Sequence, residues 1–222
     1  MKLALRQLPI YIRGDVRMKF LAPDATAALV AVEKDTDGLD YTDMWRDPTS
    51  CLVARRKKKT SQLPGFSAHN FGLAVDLDVK KILDSKKIHY EDLLHIMKKR
   101  GWICHRRDGD GERPDSCHFA YLGDDPNLYL SRCNLDPITW HNAAEQRILE
   151  RFGSHFQMSI KEIQHRLSEL RFYSGPFTGQ VDVYTREAIF AFQRAWDLVA
   201  NGHIDNTLCR ALAFITADLE MS

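Results

Sequence analysis

Ser67-Ala-His-Asn-Phe-Gly-Leu-Ala-Val-Asp-Leu-Asp78 is the stretch of sequence that decides the fold around it. After Gly72, apolar residues alternate with small or acidic ones, which predicts a β-strand. The apolar positions would face the core, while Asp76 and Asp78 would face the other side. Because glycine permits a close backbone turn just before the strand, His69 can fold back towards Asp76.

A second short run, His118-Phe-Ala-Tyr121, also alternates and can place His118 at the same point. Two imidazoles and one carboxylate form a set of nitrogen and oxygen ligands that suits zinc. With only three protein ligands, a fourth coordination position stays open for water, as in catalytic rather than structural zinc sites. The sequence thus predicts a metal site made of His69, Asp76 and His118.

The first motif resembles the Ser-x-His-x-x-Gly-x-Ala-x-Asp signature of the zinc D-alanyl-D-alanine carboxypeptidase and L-alanyl-D-glutamate endopeptidase family. That family includes bacterial wall-remodelling enzymes and bacteriophage endolysins. Asp115-Ser-Cys-His118 resembles its second motif, an acid three residues before the last metal-binding His. Gly101-Trp102 resembles the glycine–aromatic pair that commonly precedes that motif. The resemblance spans about residues 45–122 and implies an α+β domain with a small antiparallel sheet, of the hedgehog and DD-peptidase type.

The resemblance also assigns roles to individual residues. It implies that His69, Asp76 and His118 bind Zn²⁺ and that Asp115 is the catalytic general base. Family members most often have Glu at this last position, and Asp is one methylene shorter. Asp78 shares a strand face with Asp76, so it is either a partner of the metal ligands or a solvated carboxylate.

Candidate substrate-binding residues lie on both sides of the first motif. The basic run Arg55-Arg-Lys-Lys-Lys59 is of a kind that usually forms a solvated loop. In the family, an Arg just after a strand binds substrate oxygen, and guanidinium suits this through its paired donors. The resemblance implies Arg55 or Arg56 for that role, with Arg56 preferred. Ser67 and Trp102 are further candidates, although an aromatic residue in a strand is more often part of the core.

Three other elements are expected in the first domain. Residues 1–20 alternate loosely, which indicates an edge strand or an arm packed on the domain. Cys51–Ala54 is a short apolar run that predicts a buried strand. Asp84–Arg100 carries apolar residues near helical spacing and predicts one helix.

The chain changes character near residue 154, with short turns separating three predicted helices. Ser159 and Glu162 form a capping box at the start of the first helix. Thr185 is expected to cap the second helix, and Asp205 to open the third. We therefore divide the chain into residues 1–153 and an all-α three-helix bundle over the rest.

This second segment, residues 154–222, resembles the peptidoglycan-binding three-helix module often attached to cell-wall hydrolases. The resemblance rests on Ile163-Gln164-x-x-Leu167, on Thr185-x-x-Ala188-Ile189-x-x-Phe192-Gln193 and on Gly202-x-Ile204-Asp205-x-Thr207. Arg171 stands where that module commonly has Gly. The resemblance implies peptidoglycan as the partner.

Size and composition exclude several classes. A chain of 222 residues with a net charge of +1 can form two domains and gives no sign of a nucleic-acid partner. No segment reaches the ~18 apolar residues of a membrane span, so stable membrane insertion is not expected. The N-terminal segment is interrupted by Arg6, Gln7 and Arg13 and lacks the apolar core of a secretory signal. The odd number of scattered cysteines favours synthesis in a reducing compartment.

These patterns lead to a functional hypothesis. The chain is interpreted as a zinc-dependent hydrolase, a metallopeptidase of endolysin type that degrades the cell wall by cutting D-Ala-D-Ala or L-Ala-D-Glu bonds. It is expected to be a bacteriolytic monomer, made in the cytoplasm without a signal peptide, that acts on the wall after release. The alternative is a non-catalytic wall-binding protein with a structural zinc site, which the Asp at position 115 keeps open. A muramidase would need a pair of carboxylates flanking a sugar groove.

Overall fold

The computed structural model describes residues 1–8, 13–14, 19–104, 118–127, 129 and 140–221, with the backbone alone at 13–14 and 140–142. Over these ranges the chain is α+β, as predicted. The strands are β1 (Lys2–Gln7), β2 (Arg13–Gly14), β3 (Phe20–Leu21), β4 (Asp40–Asp43), β5 (Ala74–Leu77), β6 (Trp102–Cys104), β7 (His118–Tyr121) and β8 (Asp218–Met221). The α-helices are α1 (Pro23–Thr36), α2 (Pro48–Arg56), α3 (Val79–Lys86), α4 (Tyr90–Lys99), α5 (Trp140–Phe152), α6 (Ile160–Glu169), α7 (Val183–Ala195) and α8 (Asn206–Ile215). No helix in this part of the chain is long and apolar enough to cross a membrane.

The larger sheet has five strands in the order β2-β4-β5-β7-β6. Strands β4, β5, β7 and β6 pair antiparallel, while β2 pairs parallel with β4. The predicted alternation holds in β5, because Val75 and Leu77 are buried whereas Asp76 is partly exposed. Strand β5 therefore lies inside the sheet and offers one carboxylate on the face opposite its core residues.

A smaller sheet joins the two ends of the chain in the order β3-β1-β8. Strand β1 is its central strand rather than an edge strand, whereas β2, also within residues 1–20, lies at the edge of the larger sheet. The parallel partner β8 supplies the second neighbour, with Lys2 opposite Asp218 and Leu5 opposite Met221. No local sequence pattern predicts a pairing between strands so far apart in sequence. It is decided by the tertiary structure.

The segment Cys51–Ala54 is not a strand but part of helix α2. The carboxylate of Asp47 caps this helix by accepting hydrogen bonds from the N–H groups of Thr49 and Ser50 at 2.8 and 3.0 Å. Pro48 occupies the first helical turn, where its missing N–H costs nothing. This start signal outweighs four apolar residues, of which only Cys51 is buried.

The predicted helix over Asp84–Arg100 is likewise two helices, α3 and α4. Lys87 ends α3 in the left-handed conformation, with φ of 55°. The side chain of Asp92 accepts a hydrogen bond from the His89 N–H at the start of α4. Asp78 caps α3 by accepting a hydrogen bond from the Lys81 N–H at 3.1 Å, so this carboxylate serves the helix rather than the metal ligands.

Helices α6, α7 and α8 pack around a shared apolar cluster that includes Ile163, Ile189 and Leu212. Two buried glutamines fix the loops between them. The Gln164 side chain accepts a hydrogen bond from the Gly179 N–H at 2.9 Å, and the Gln193 side chain accepts one from the Gly202 N–H at 2.8 Å. Each loop is thus held by a side chain of the preceding helix, which explains why both glutamines are buried.

Two details of the C-terminal helices bear on the sequence predictions: the cap of α7 and the backbone conformation at Arg171. Thr185 is not the cap of α7, because the cap is Asp182, whose carboxylate accepts a hydrogen bond from the Thr185 N–H at 2.8 Å. Arg171, where the resembling module commonly has Gly, has a φ of 64°. The backbone conformation that favours glycine is therefore retained here with an arginine side chain.

The last helix connects the C-terminal cluster to the rest of the molecule. Ala213 belongs to the large core that contains Phe71 and the buried strand residues. Phe214 is also buried, and its ring centroid lies 5.9 Å from that of Phe71. The division at residues 153 and 154 stays a prediction, but α8 packs against both sides of it.

Gly72 and Gly179 offer a matched test of this packing, since both have positive φ values, of 66° and 73°. A Cβ at Gly72 would lie 2.6 Å from the Ala22 backbone N, whereas its nearest neighbour at Gly179 would be 3.9 Å away. Gly179→Ala should cost about 1–2 kcal/mol for the left-handed conformation. Gly72→Ala should cost about 1–3 kcal/mol more, because the backbone of Ala22 has to shift. Urea unfolding would measure both, and equal losses would contradict the close approach at Gly72.

Candidate metal centre

His69 lies in the short 3-10 helix Ala68–Phe71, whose N-cap residue is Ser67. The imidazole is 1 % exposed, and its Nδ1 lies 2.5 Å from the carbonyl oxygen of Met44. A carbonyl oxygen only accepts hydrogen bonds, so Nδ1 carries the ring proton and donates it. The lone pair of Nε2 is thereby left free, which is the state in which a neutral imidazole binds a metal ion.

The register of β5 and β7 brings the other two side chains together. Asp76 and His118 are directly opposite each other in the antiparallel pair. Residues opposite one another on one face of a sheet have neighbouring side chains. The His118 Nδ1 accordingly lies 2.9 Å from the Asp76 Oδ1.

The three side chains converge on one point. The His69 Nε2 lies 3.2 Å from the Asp76 Oδ1 and 3.2 Å from the His118 Nδ1. Ligand atoms about 2.05 Å from a tetrahedral zinc ion are about 3.3 Å apart, so these separations match the edges of such a site. His69, Asp76 and His118 therefore form a group that can hold a metal ion.

The electrostatics of this cluster favour a charged carboxylate. Burial of Asp76 by itself would raise the pKa of its carboxyl group. The electrostatic interaction with His69 and hydrogen bonds with both imidazoles outweigh burial and hold the pKa of Asp76 far below the usual aspartate range. The Asp76 carboxyl group is therefore anionic throughout the neutral pH range.

Arg46 is a residue of the centre that the sequence analysis did not identify. Its Nη2 donates to the Asp76 Oδ2 at 3.2 Å, and its Nε donates to the Asp43 Oδ2 at 2.5 Å. Arg46 thus occupies the carboxylate oxygen that does not face the imidazoles, which leaves Oδ1 for a metal. The spacing of Asp43 and Arg46 signals only a local ion pair, whereas the pairing of β4 with β5 brings Arg46 to Asp76.

The segment that carries Arg46 is bonded to the segment that carries His69 along its length. The Arg46 N–H donates to the His69 carbonyl oxygen at 3.2 Å, and the Trp45 Nε1 donates to that of Asn70 at 3.1 Å. The Asn70 Nδ2 donates in turn to the Arg46 carbonyl oxygen at 3.2 Å. These bonds hold the backbone at His69 and Asn70 against Trp45 and Arg46, independently of a metal ion.

Other predicted site residues are placed elsewhere or lie outside the described residues. Asp115, the predicted general base, is among the latter. Arg55 donates to the carbonyl oxygens of Ser61 and Asp197 at 2.8 and 3.2 Å. Arg56 forms an ion pair with the Asp197 carboxylate, with 3.1 Å between Nε and Oδ2. Both guanidinium groups are thus bonded at the junction with the C-terminal helices, and the guanidinium at Asp76 belongs to Arg46.

Ser67 and Trp102 have structural partners. The Ser67 hydroxyl accepts a hydrogen bond from the His69 backbone N–H at 3.3 Å, so this residue helps to position a candidate metal ligand. Trp102 is fully buried, and its ring centroid lies 5.2 Å from that of Tyr121. Trp102 is therefore a core residue rather than the wall of an open groove.

Metal binding can be tested by titration of the metal-free chain with Zn²⁺ and other divalent ions. We expect one ion per chain, and a loss of affinity greater than about 100-fold in His118→Ala, because a direct ligand is removed. Arg46→Met should lower the affinity by about 10–100-fold, the usual effect of losing a partner of a ligand. His95→Ala is the matched control, since His95 is an exposed imidazole on α4. Unchanged binding in His118→Ala would place the ion at another site.

A comparison with protein families identifies the C-terminal region. Residues 157–212 match the model of a family described as a putative peptidoglycan binding domain. This range contains helices α6 and α7 and most of α8. No curated protein matches the chain. The prediction of a C-terminal peptidoglycan-binding domain is thus confirmed over residues 157–212, and it indicates association with the cell wall.

Proposed function

We propose that this chain is a zinc-dependent peptidoglycan peptidase of endolysin type. The observation that carries the proposal is the convergence of His69, Asp76 and His118 in a chain that also contains a peptidoglycan-binding domain. Metal-binding chemistry and attachment to the wall polymer are thereby combined in one molecule. The resemblance of the surrounding motifs to the D-Ala-D-Ala carboxypeptidase and L-Ala-D-Glu endopeptidase family adds the reaction class.

The donor set favours zinc and a catalytic rather than structural role. Imidazole nitrogens with one carboxylate oxygen suit Zn²⁺, and three protein ligands are the usual number in catalytic zinc sites. Structural zinc sites almost always have four protein ligands. When bound, the ion supplies Lewis-acid chemistry, because it polarises a carbonyl group and makes water more acidic.

The chain's own residues would hold and orient the reacting groups. His69 is the fixed ligand, with 1 % of its side chain exposed, whereas 25 % of the His118 side chain is exposed. A substrate would therefore approach from the side of His118. Asp115, three residues before His118, is proposed to take the proton from the attacking water. Arg46 would orient Asp76 during this step through its hydrogen bond to Oδ2.

The proposed substrate is a peptide bond of the peptidoglycan stem, either D-Ala-D-Ala or L-Ala-D-Glu. Its carbonyl group would lie over the metal centre while the C-terminal domain holds the polymer. The proposed place of action is the cell wall. Binding at two points of one polymer raises the local concentration of stem peptides at the centre.

Digestion of purified peptidoglycan, followed by mass spectrometry of the released fragments, tests the proposal. We expect wild type to release stem-peptide fragments and leave the glycan strands whole. Asp115→Ala should lower the rate by about 10²–10⁴-fold, the usual contribution of a general base. Asp115→Glu, which restores the residue most common in the resembling family, should retain activity.

Co-sedimentation with peptidoglycan separates catalysis from attachment. His118→Ala should sediment with the polymer as wild type does, because the C-terminal domain is unaltered, yet it should release no fragments. If zinc-loaded wild type and Asp115→Ala both release no fragments, the alternative of a non-catalytic wall-binding protein is correct. Cleaved glycan with intact stem peptides would instead identify a muramidase.

A further inference from the structure

We infer that Arg210, in the peptidoglycan-binding domain, is a positioning residue for the metal centre. The inference rests on the proposed function of the His69, Asp76 and His118 cluster. It assigns to helix α8 a part in the site that the family match does not give it. The argument follows a chain of contacts from the Arg210 guanidinium to the segment that carries His69.

Arg210 is a buried cation held on several sides. Only 1 % of its side chain is exposed, and its Nη1 and Nη2 donate to the two carboxylate oxygens of Glu145 on α5. Its guanidinium carbon lies 4.2 Å from the centroid of the Phe66 ring and 5.0 Å from that of Phe156. A charge this deeply buried is tolerated because the guanidinium donates to a carboxylate and contacts two aromatic rings.

The third guanidinium nitrogen, Nε, bonds the segment that precedes the first metal motif. The Arg210 Nε donates a hydrogen bond to the carbonyl oxygen of Gly65. Gly65 has a φ of 82°, and a Cβ there would lie 2.8 Å from the Arg210 carbonyl oxygen. The backbone at residue 65 is therefore in direct contact with helix α8, where a side chain would not fit.

The other side of the same residue bonds to the metal segment. The Gly65 N–H donates to the Asn70 Oδ1 at 3.1 Å, and this oxygen also accepts a hydrogen bond from the Ser67 N–H at 3.3 Å. Asn70 is fully buried and directly follows His69. One side-chain amide thus closes residues 65–70 into a turn that contains His69, and Arg210 holds the outer end of that turn.

Only a guanidinium group at position 210 can make this set of contacts. An apolar residue at position 210 would leave Glu145 without its ion-pair partner and the Gly65 carbonyl oxygen without its donor. A lysine would keep the charge opposite Glu145, yet a single ammonium group cannot reproduce the planar fork of donors. Loss of Arg210 should therefore loosen the turn at residues 65–70 and misplace the His69 Nε2 relative to Asp76 and His118.

The experiment compares Arg210→Met and Arg210→Lys with wild type in the full-length chain. The first measurement is the dissociation constant for Zn²⁺, determined by competition with a chelator at a temperature where each variant is folded. The second is hydrogen exchange of the backbone amides of residues 65–71 in the metal-free chain. Arg166→Met is the matched control, because Arg166 also lies in the peptidoglycan-binding domain and donates to Thr216 rather than to the metal segment.

We expect Arg210→Met to weaken Zn²⁺ binding by about 10-fold or more, as does the loss of other partners of metal ligands. Exchange at residues 65–71 should become faster than in the control, and Arg210→Lys should show the same changes to a smaller degree. Zn²⁺ affinity and exchange that match wild type in both variants would overturn the inference, even if the melting temperature falls. If wild type binds no Zn²⁺, the proposed function fails, while the exchange measurement still decides the role of Arg210.

Discussion

The register between β5 and β7 is the constraint on which the rest of the site depends. It places Asp76 opposite His118 on the face of the sheet opposite to that of the buried Val75 and Leu77. A slip of one residue would turn Asp76 into the core and carry Val75 or Leu77 to the site. Burial of these two apolar residues therefore secures the position of a charged ligand. The same burial that holds the sheet together positions two of the three side chains of the candidate metal centre, Asp76 and His118.

His69 is positioned by a different means, because it does not belong to the sheet. Its backbone and its Nδ1 are bonded to the segment Met44–Arg46, which follows strand β4 directly. Since β4 pairs with β5, the sheet also fixes this segment. The larger sheet thus positions all three candidate ligands. This preorganisation would reduce the entropic cost of binding an ion.

The C-terminal domain is packed against the rest of the chain rather than joined to it by a free linker. Strand β8 pairs with β1, Phe214 contacts Phe71, and Arg56 is bonded to Asp197. A freely tethered domain would only raise the concentration of the polymer near the centre. The packed C-terminal domain instead keeps a fixed position relative to the candidate metal centre.

The sequence by itself determined the strand at residues 74–77, the set of two imidazoles and one carboxylate, and the three C-terminal helices. Each of these is encoded by spacing within a short stretch, where side-chain direction follows from the period of the backbone. Local patterns misled where two signals competed, as at Cys51–Ala54, where the Asp47 and Pro48 start signal prevailed. Only the tertiary structure decided that Arg46 bonds Asp76, that β8 pairs with β1 and that Arg210 reaches Gly65. These contacts join residues that are distant in the chain. Their partners are selected by the packing of whole helices and strands, which the spacing of residues within a short stretch does not predict.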